Sequence, residues 1–568
     1  MRWFAAIATP KNFAFLRVND IKFYMADNYD DYSREELLRE LRLRDRRPCF
    51  GLVWERKEIE HEKAVNDDFV TLDFDQDLSC GIAPYRNLII EGDNFDALRF
   101  LRMTHAGKVK CIYIDPPYNT GNRDFIYNDH FVDKEDAYRH SKWLEFMYRR
   151  LQLARDLLSE DGVIFVSIDD NEVFNLGLLM NQVFGEINQV ATCVWQKRYS
   201  RENRGAIGDA HEYLLVYAIN PATFKQQRNK IPPTEKQAAI YKNANNDPKG
   251  TWRVIPMTAQ GYRPNQMYEI VTPAGVVHRP PEGRCWSTIE SEYNRMLEEG
   301  RIWFGKEGKS QPGIIRYFDQ VEGMIPWTWW PHEEVGHTDE ARKEIQSIFG
   351  TQTAFDTPKP VRLIERILRI ATKPDDIVLD FFAGSGTTAH AIMKLNAEDG
   401  GNRRFILVSS TEATDSEPDK NLCRDVCAER VRRVMQGYTN KKGEAVAGLG
   451  GSFAYLRTRR LPAETMFNCI QHEAIWTALQ LIHAESLSPF ITDALIQQAI
   501  LENNTVVYLP NINERVLQSL NDACSTASML IVYTWQPGLL RQHFDDDRLS
   551  FLPIPQFLVD RFGTGSKA

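Results

Sequence analysis

Hydrophobic residues between positions 86 and 190 occur in short runs and, between these runs, at helical spacing. The apolar runs Leu88–Ile90, Cys111–Ile114 and Gly162–Ile168 are rich in β-branched or aromatic residues, and they predict buried strands. Helices are predicted between them, over residues 94–104 and about 134–159. Strands that alternate with helices predict a parallel sheet, which binds ligands at the carboxyl ends of its strands.

The same alternation returns in the second half of the chain, after an irregular stretch. Residues 191 to about 345 are rich in Gly, Pro, Arg and Trp, whereas strands are predicted at Ile377–Leu379 and Phe405–Val408, and helices at Val361–Thr372 and Thr387–Leu395. We therefore predict one α/β sheet that is interrupted by an insertion. The predicted divisions are an N-terminal appendage, a first half-sheet, an insertion, a second half-sheet and a C-terminal α/β appendage, over residues 1–85, 86–190, 191–350, 351–450 and 451–568.

Composition narrows the class of protein. The 568 residues are 43% hydrophobic and 26% charged, which is typical of a soluble globular protein of several structural units. We find no apolar run of membrane-spanning length, and Lys11 and Arg17 soon interrupt the apolar start, so we expect neither an anchor nor a signal peptide. Nine cysteines without paired spacing indicate reduced thiols in a cytoplasm. Cys423 and Cys427 are four positions apart, which favours packing over a metal site.

The net charge of −9 restricts any contact with nucleic acid to part of the surface. A protein that coats DNA uniformly would be basic, so the net charge argues against this class of protein. A basic groove on an acidic body is still allowed, because binding responds to the local field.

A rigid polar corner follows the predicted strand at residues 111–114. Asp115, Pro116, Pro117 and Tyr118 come directly after the strand. Two prolines fix the backbone and remove donors, and a carboxylate and a phenol ring stand on either side of them. Taken alone, these four residues also fit an ordinary proline-rich turn with a capping Asp.

A second motif, "IVLDFFAGSGTTAHA" at residues 377–391, has the pattern of a ligand-binding loop. A strand that ends in Asp380 leads into a glycine-containing loop, and a helix is predicted from Thr387. Glycines let a ligand lie against the backbone, and the helix start offers unpaired N–H groups. The loop also matches the dinucleotide fingerprint G-x-G-x-x-A. A dehydrogenase would need an acidic residue about 20 positions later, but there the next strand ends in Ser409-Ser410, with no carboxylate until Glu412.

Together the two motifs resemble a known family. Asp115–Tyr118 with Phe382–Gly386 is similar to the amino-group DNA methyltransferases that use S-adenosylmethionine, and the order, corner before loop, resembles their β class. Further segments resemble the modification (Mod) subunits of Type III restriction–modification systems, and the likeness covers roughly residues 85–440: "LIIEGDNFDALRFL", "VDKEDAYRHSKWLEFMYRRL", "GVIFVSIDDNE", "FDTPKPVRLIERIL" and "FILVSSTEATD". The resemblance implies a circularly permuted, Rossmann-like methyltransferase sheet with an inserted target-recognition domain.

The resemblance also implies a role for each residue of the corner. The carboxylate of Asp115 and the backbone carbonyl of Pro116 would accept the two hydrogens of an exocyclic amine and free its lone pair. Pro116 and Pro117 would fix these acceptors in advance. Tyr118 would stack on a base that has been flipped out of the duplex. Asp rather than Ser at the first position resembles the adenine-N6 enzymes more than the cytosine-N4 enzymes.

For the cofactor, the resemblance implies residues from both halves of the chain. Asp380 would receive the ammonium group of S-adenosylmethionine, and Lys359 lies in the segment that would flank its carboxylate. Asp93 would lie near the adenine of the cofactor, although it also fits a helix cap. Glu412 is the nearest substitute for a ribose-binding carboxylate, since Ser409 stands where relatives have an acid. The loop itself contributes Phe382, Ala383, Gly384, Ser385 and Gly386.

The insertion is the expected target-recognition part. Its segment 195–213 concentrates basic residues around glycines, and these residues are predicted to track phosphates or to contact guanine: Lys197, Arg198, Arg201 and Arg204. A solvated surface loop is the alternative interpretation. The sequence does not identify the recognised DNA site.

The leading hypothesis is an adenine-N6 DNA methyltransferase of the Type III Mod kind. The resemblance implies double-stranded DNA as substrate, a homodimer, and a separate helicase–nuclease (Res) subunit. The chain has no G-x-x-x-x-G-K-[ST] loop, so it is not itself the ATP-driven part. The alternatives are a solitary or cytosine-N4 enzyme of the same class, an RNA or protein amide methyltransferase, and a non-catalytic DNA-binding relative.

Overall fold

The computed structural model of the protein describes most of the chain beyond residue 53. The described residues are 54, 69–121, 126–127, 130–131, 138–200, 206–243, 245–321, 323–350, 355, 357–414, 417–461, 470–483, 486–501, 504–525 and 529–555.

The first predicted half-sheet has alternating strands and helices. The long predicted helix is observed from Arg139 to Leu157, and a strand follows it directly. In chain order the elements are β1 (Phe69–Cys80), β2 (Leu88–Glu91), α1 (Asn94–His105), β3 (Val109–Ile114), β4 (Ile126–Tyr127), β5 (His130–Phe131), α2 (Arg139–Leu157), β6 (Leu158–Ile168) and α3 (Val173–Phe184).

The predicted insertion begins with two strands that join the central sheet, and it continues as shorter strands and helices, part of which has a small apolar core of its own. This core includes Met257, Trp286 and Tyr293, so at least one of the tryptophans is structural. In chain order the elements are β7 (Gln189–Gln196), β8 (His211–Ala218), α4 (Pro221–Gln227), α5 (Glu235–Ala238), β9 (Trp252–Pro256), β10 (Thr258–Gln260), β11 (Ile270–Val271), β12 (Val277–His278), β13 (Arg284–Trp286), α6 (Glu290–Glu298), β14 (Ile302–Trp303), β15 (Gly313–Tyr317), β16 (Trp329–Trp330), α7 (His332–Val335) and α8 (Thr338–Phe349).

The second half-sheet and the tail complete the chain. The tail has a separate four-stranded sheet, formed by strands between residues 497 and 553, with its own buried core. In chain order the elements are α9 (Val361–Ala371), β17 (Ile377–Asp380), α10 (Thr387–Asp399), β18 (Arg404–Ser409), a π-helical turn (Cys423–Ala428), α11 (Glu429–Gln436), β19 (Gly437–Thr439), β20 (Ala445–Ala447), β21 (Phe453–Leu461), α12 (His472–His483), β22 (Gln497–Ile500), β23 (Thr505–Leu509), α13 (Glu514–Cys524), β24 (Leu530–Thr534), α14 (Pro537–His543) and β25 (Leu549–Pro553).

The central sheet has ten strands in the order β1-β21-β2-β18-β17-β3-β6-β8-β7-β16. Strands β2, β18, β17, β3 and β6 are mutually parallel, and β8 runs antiparallel to β6. The strands of the second half-sheet, β18 and β17, therefore lie between strands of the first. This interleaving confirms the predicted α/β fold with a permuted, Rossmann-like sheet.

Both faces of the sheet are covered, since every residue of β3 and of β17 is buried. Helices α9 and α10 pack against each other, as do α1 and α2. The sheet also extends beyond the boundaries predicted at residues 85 and 450, because β1 and β21 pair with each other and β21 pairs with β2. The boundary predicted at residue 190 is wrong as well, because β8 pairs with β6 and β7 pairs with β8. No helix within the described ranges combines the length and the hydropathy that crossing a bilayer requires.

Candidate active site

The two motifs lie side by side at the carboxyl edge of the central sheet. Strand β3 leads into Asp115, and β17 ends in Asp380. The two strands are parallel neighbours, with Val378 opposite Cys111 and Leu379 opposite Ile112. Segments that are more than 250 residues apart in the chain thus open onto one edge, where α/β sheets bind their ligands.

The corner formed by Asp115–Tyr118 is held in place by buried contacts on the side that faces the protein interior. The carbonyl of Pro117 accepts a hydrogen bond from Nε1 of Trp143 at 2.7 Å. Asn119 adopts a left-handed backbone conformation with φ 55° and is fully buried. Its side-chain amide donates to the buried carboxylate of Glu172 at 2.5 Å, and the His140 ring also contacts Glu172, at 2.6 Å. Asn119 and Glu172, neither of which belongs to the four-residue corner or to the glycine loop, therefore fix the backbone that leaves the corner.

The open side of the corner carries a compact cluster of charges. Lys359 Nζ donates to both carboxylate oxygens of Asp115 and to the hydroxyl of Tyr118, each at 2.8 Å. The Tyr118 hydroxyl lies 2.8 Å from Oδ1 of Asp115 and 2.9 Å from Oε2 of Glu212. Lys359 is also 3.3 Å from Glu212. The resemblance implied a role for Lys359 at the carboxylate of the cofactor, whereas the structure places its ammonium group on the corner.

Burial and mutual charge shift the pKa values of this cluster. Desolvation raises the pKa of Asp115, with Lys359 opposing the shift and Glu212 adding to it. Desolvation alone would lower the pKa of Lys359, but the carboxylates of Asp115 and Glu212 outweigh it and raise that pKa. Desolvation also raises the pKa of Tyr118, and Asp115 adds to the shift. The ammonium and the phenol therefore both keep their protons near neutral pH.

Asp380 is a buried carboxylate at the start of the glycine loop. It accepts hydrogen bonds from the backbone N–H of Phe382 at 3.0 Å and from the hydroxyl of Thr388 at 2.5 Å. Desolvation raises its pKa to about 7, against the lowering effect of these two hydrogen bonds. A cationic ligand group beside Asp380 would stabilise the ionised form.

Two glycines bring the loop close to its neighbours. Gly384 has φ 50°, and a Cβ there would lie 3.2 Å from the ring of Phe355. Gly386 has φ 75°, and a Cβ there would lie 3.1 Å from the carbonyl oxygen of Cys427 in the π-helical turn. Side chains are therefore disfavoured at both positions, by conformation and by space.

Below the loop lies the guanidinium group of Arg430, which is fully buried. It donates to the hydroxyls of Ser385 at 3.1 Å and Thr387 at 2.7 Å. Ser385 therefore faces the protein interior, as does the buried Ala383. No local pattern in the sequence marks Arg430, which lies 43 residues after Thr387.

Asp93 and Glu412, the two remaining carboxylates that were predicted at the cofactor, are engaged in other contacts. Asp93 caps helix α1 through the backbone N–H groups of residues 95 and 96, and it pairs with Arg150 at 3.0 Å. Glu412 has φ 54° and pairs with Lys420 at 3.0 Å. Asp93 therefore acts as a helix cap, which was the alternative interpretation of this residue.

The residues at the loop fit the cofactor that the resemblance implies. S-adenosylmethionine carries an ammonium group, a carboxylate and a sulfonium, and the buried carboxylate of Asp380 suits a cation. Helix α10 begins beside it without a side-chain cap, so its first N–H groups are oriented to bind an anion. A carboxylate that could pair with an ammonium group and a helix start that could bind a carboxylate thus lie next to each other.

The predicted basic segment has a mixed outcome. Lys197 turns inward, with its side chain 11% exposed, and pairs with Asp209 at 2.8 Å and with Glu212 at 3.5 Å. Its charge is thus balanced within the site, which argues against a contact with phosphate. Arg198 is exposed two residues after the end of β7, whereas Arg201 and Arg204 lie outside the described residues.

Comparison with known proteins gives consistent matches. A family model described as "DNA methylase" matches residues 109–413, which is more than half of the chain. The Type III restriction-modification enzyme StyLTI Mod subunit of Salmonella typhimurium is 38% identical over 384 residues, which is 61% of this chain and 57% of the relative. The EcoPI Mod subunit of Escherichia phage P1 is 34% identical, over 58% of each chain. The Type II methyltransferase M.KpnI of Klebsiella pneumoniae is 33% identical over 56% of this chain and 79% of the relative. The chain thus spans less than two thirds of the Mod subunits that it matches.

Proposed function

Because the chain belongs to the DNA methylase family, we propose that it transfers a methyl group from S-adenosylmethionine to the N6 amine of an adenine in double-stranded DNA. The observation that carries this proposal is the position of Asp115–Tyr118 beside Asp380 and the glycine loop, on neighbouring parallel strands. Acceptors for an amine therefore lie at the same edge of the sheet as a site for the amino-acid portion of the cofactor.

The chemistry requires an amine whose lone pair is available. In adenine this lone pair is delocalised into the ring, so the free base is a weak nucleophile. Asp115 and the carbonyl of Pro116 accept the two amino hydrogens and favour a pyramidal nitrogen. Because the corner is held by Trp143, Asn119 and the prolines, the acceptors need little reorganisation on reaction.

The cofactor, when bound, supplies a methyl group on an electrophilic sulfonium. Asp380 and the start of helix α10 hold its amino-acid end. The glycine loop lets the rest lie against the backbone, and Tyr118 stacks on the flipped base. The incoming amine shares Asp115 with Lys359, which already binds both carboxylate oxygens.

We assign adenine-N6 rather than cytosine-N4 because Asp stands first in the corner and because the StyLTI and EcoPI matches are Type III Mod subunits. By the same likeness we propose that the chain acts as the modification subunit of a Type III system. Its partners would be a second copy of the chain and a helicase–nuclease (Res) subunit. Arg198, Arg201 and Arg204 remain proposed DNA contacts.

Transfer of a labelled methyl group tests the proposal. The protein should label double-stranded DNA and not RNA, and digestion of the product should yield N6-methyladenine. Asp115→Ala should reduce transfer by at least about a hundredfold, the scale of losing a preorganised polar group, while calorimetric binding of S-adenosylmethionine persists.

Asp170→Ala is the matched control, since Asp170 follows β6 at the same edge and contacts Tyr213 instead of the corner. It should leave transfer within about twofold of the wild type. Label in RNA or on cytosine would contradict the proposed substrate. Loss of cofactor binding together with the fold in Asp115→Ala would make Asp115 a structural residue.

A further inference from the structure

Two carboxylates, not one, contact the tyrosine of the corner. Glu212 lies in β8 at the edge of the sheet and is 8% exposed. Its Oε2 accepts from the hydroxyl of Tyr118, which also bonds to Asp115. Asp115 and Glu212 are therefore each within hydrogen-bond distance of the same hydroxyl oxygen.

The balance of charge at the corner depends on Glu212. Asp115 and Lys359 form a pair that is neutral overall, with the ammonium 2.8 Å from both carboxylate oxygens. Glu212, 3.3 Å from the same ammonium, adds a negative charge. Lys197 approaches Glu212 only to 3.5 Å and bonds more closely to Asp209, at 2.8 Å. The three side chains that contact one another at the corner, those of Asp115, Glu212 and Lys359, carry one positive and two negative charges, so the corner is negative. Asp209 balances the charge of Lys197 outside the corner.

We propose that Glu212 is a positioning residue that fixes Lys359 and Tyr118 and supplies the net negative charge of the corner. This inference rests on the proposed methyl transfer. An ammonium fixed on Asp115 would by itself cancel the negative field that the reacting amine needs. Glu212 restores that field while the ammonium keeps the carboxylate in place.

The transfer step shows why the field matters. The lone pair of the amine forms the N–C bond, and the electron pair of the breaking S–C bond remains on sulfur. The positive charge thus moves from sulfur to nitrogen, towards the corner. One N–H proton then passes to the carboxylate of Asp115, whose side chain is 24% exposed, and from there to water. Fixed negative charge beside the nitrogen stabilises this transition state, and in a partly dehydrated site its effect is large.

Glu212→Gln tests the inference because it removes the charge and keeps the shape. We expect kcat for methyl transfer to DNA to fall about 10- to 100-fold, while the Kd for S-adenosylmethionine stays within about twofold. The negative charge of Glu212 raises the pKa of Asp115. The acid limb of the kcat–pH profile should therefore move to lower pH in the variant, a change that a merely structural role would not produce.

Asp209→Asn is the matched control. It removes one negative charge, as Glu212→Gln does, but Asp209 pairs with Lys197 and not with a residue of the corner. It should stay within about twofold of the wild type, and Glu212→Asp should recover most of the activity lost in Glu212→Gln. The inference is overturned if kcat of Glu212→Gln is unchanged, if its acid limb does not move, or if Asp209→Asn falls equally. Absence of transfer by the wild type would instead refute the proposed function itself.

Discussion

Replacing Lys359 by Gln tests the electrostatic account of the corner through stability. The side chain of Lys359 is 10% exposed, and its ammonium bonds to Asp115, Tyr118 and Glu212. Glutamine removes the positive charge and leaves two carboxylates facing one hydroxyl. Removing one partner of a buried ion pair costs about 3–5 kcal/mol. Because Asp115 keeps some contact with water, we expect the lower end, about 3 kcal/mol at pH 8.

The cost should depend on pH with a definite sign. Desolvation and Glu212 raise the pKa of Asp115, while Lys359 opposes them, so in the variant that pKa rises further. A carboxyl whose pKa is higher in the folded state than in the unfolded state stabilises the fold while it is protonated, and this stabilisation is lost as the pH rises through the folded-state pKa. The stability deficit of Lys359→Gln against the wild type should therefore be smaller at pH 5 than at pH 8.

Scanning calorimetry from pH 5 to pH 8 measures this deficit. About 3 kcal/mol corresponds to a fall in melting temperature of about 5 °C or more for the transition that contains the central sheet. Lys309→Gln is the control, because Lys309 pairs with Glu307 on the surface and exposed pairs contribute under about 1 kcal/mol. A deficit that is independent of pH, or larger at pH 5, would refute the reasoning.

The glycine loop gives two further predictions. Burial raises the pKa of Asp380 to about 7, so the affinity for S-adenosylmethionine, measured by calorimetry, should weaken by up to about tenfold per pH unit below pH 7. Asp380→Asn should bind the cofactor weakly at every pH. If the variant kept the pH dependence of the wild type, the assignment of Asp380 would be contradicted. Gly386→Ala should lower stability by about 1–2 kcal/mol for the left-handed conformation, plus a further cost for crowding against Cys427. Gly443→Ala, at φ 80° with open space around it, should show the conformational cost alone, and equal losses in denaturant melts of the two variants would exclude crowding.

Sequence reasoning located the parts of the site that are local in the chain. Asp115–Tyr118 and residues 380–386 each come at the end of a strand. The alternation of strands and helices was therefore enough to predict that both motifs lie at the carboxyl edge of the sheet. The contacts among the side chains did not follow, because they join distant positions. Lys359 meets Asp115 across 244 residues, and Glu212 meets Tyr118 across 94.

A usable signal for Glu212 was present in the sequence. In "HEYLLVYA" an acidic residue stands near the start of an otherwise apolar strand, β8, which the structure buries against β6. Because β8 is antiparallel to β6, its start lies at the edge where the parallel strands end. Lys197 was misleading for a related reason: a basic residue in a glycine-containing segment suggested exposure, but the end of β7 directs it towards Glu212.

The interleaved strand order has a consequence during synthesis. Strands β2 and β3 leave the ribosome early, yet β18 and β17, which fill the gap between them, come more than 250 residues later. Until then each has an open backbone edge, and open edges invite pairing with other chains. The nascent protein therefore needs these edges shielded, by its own segments or by chaperones, while more than 250 further residues are synthesised.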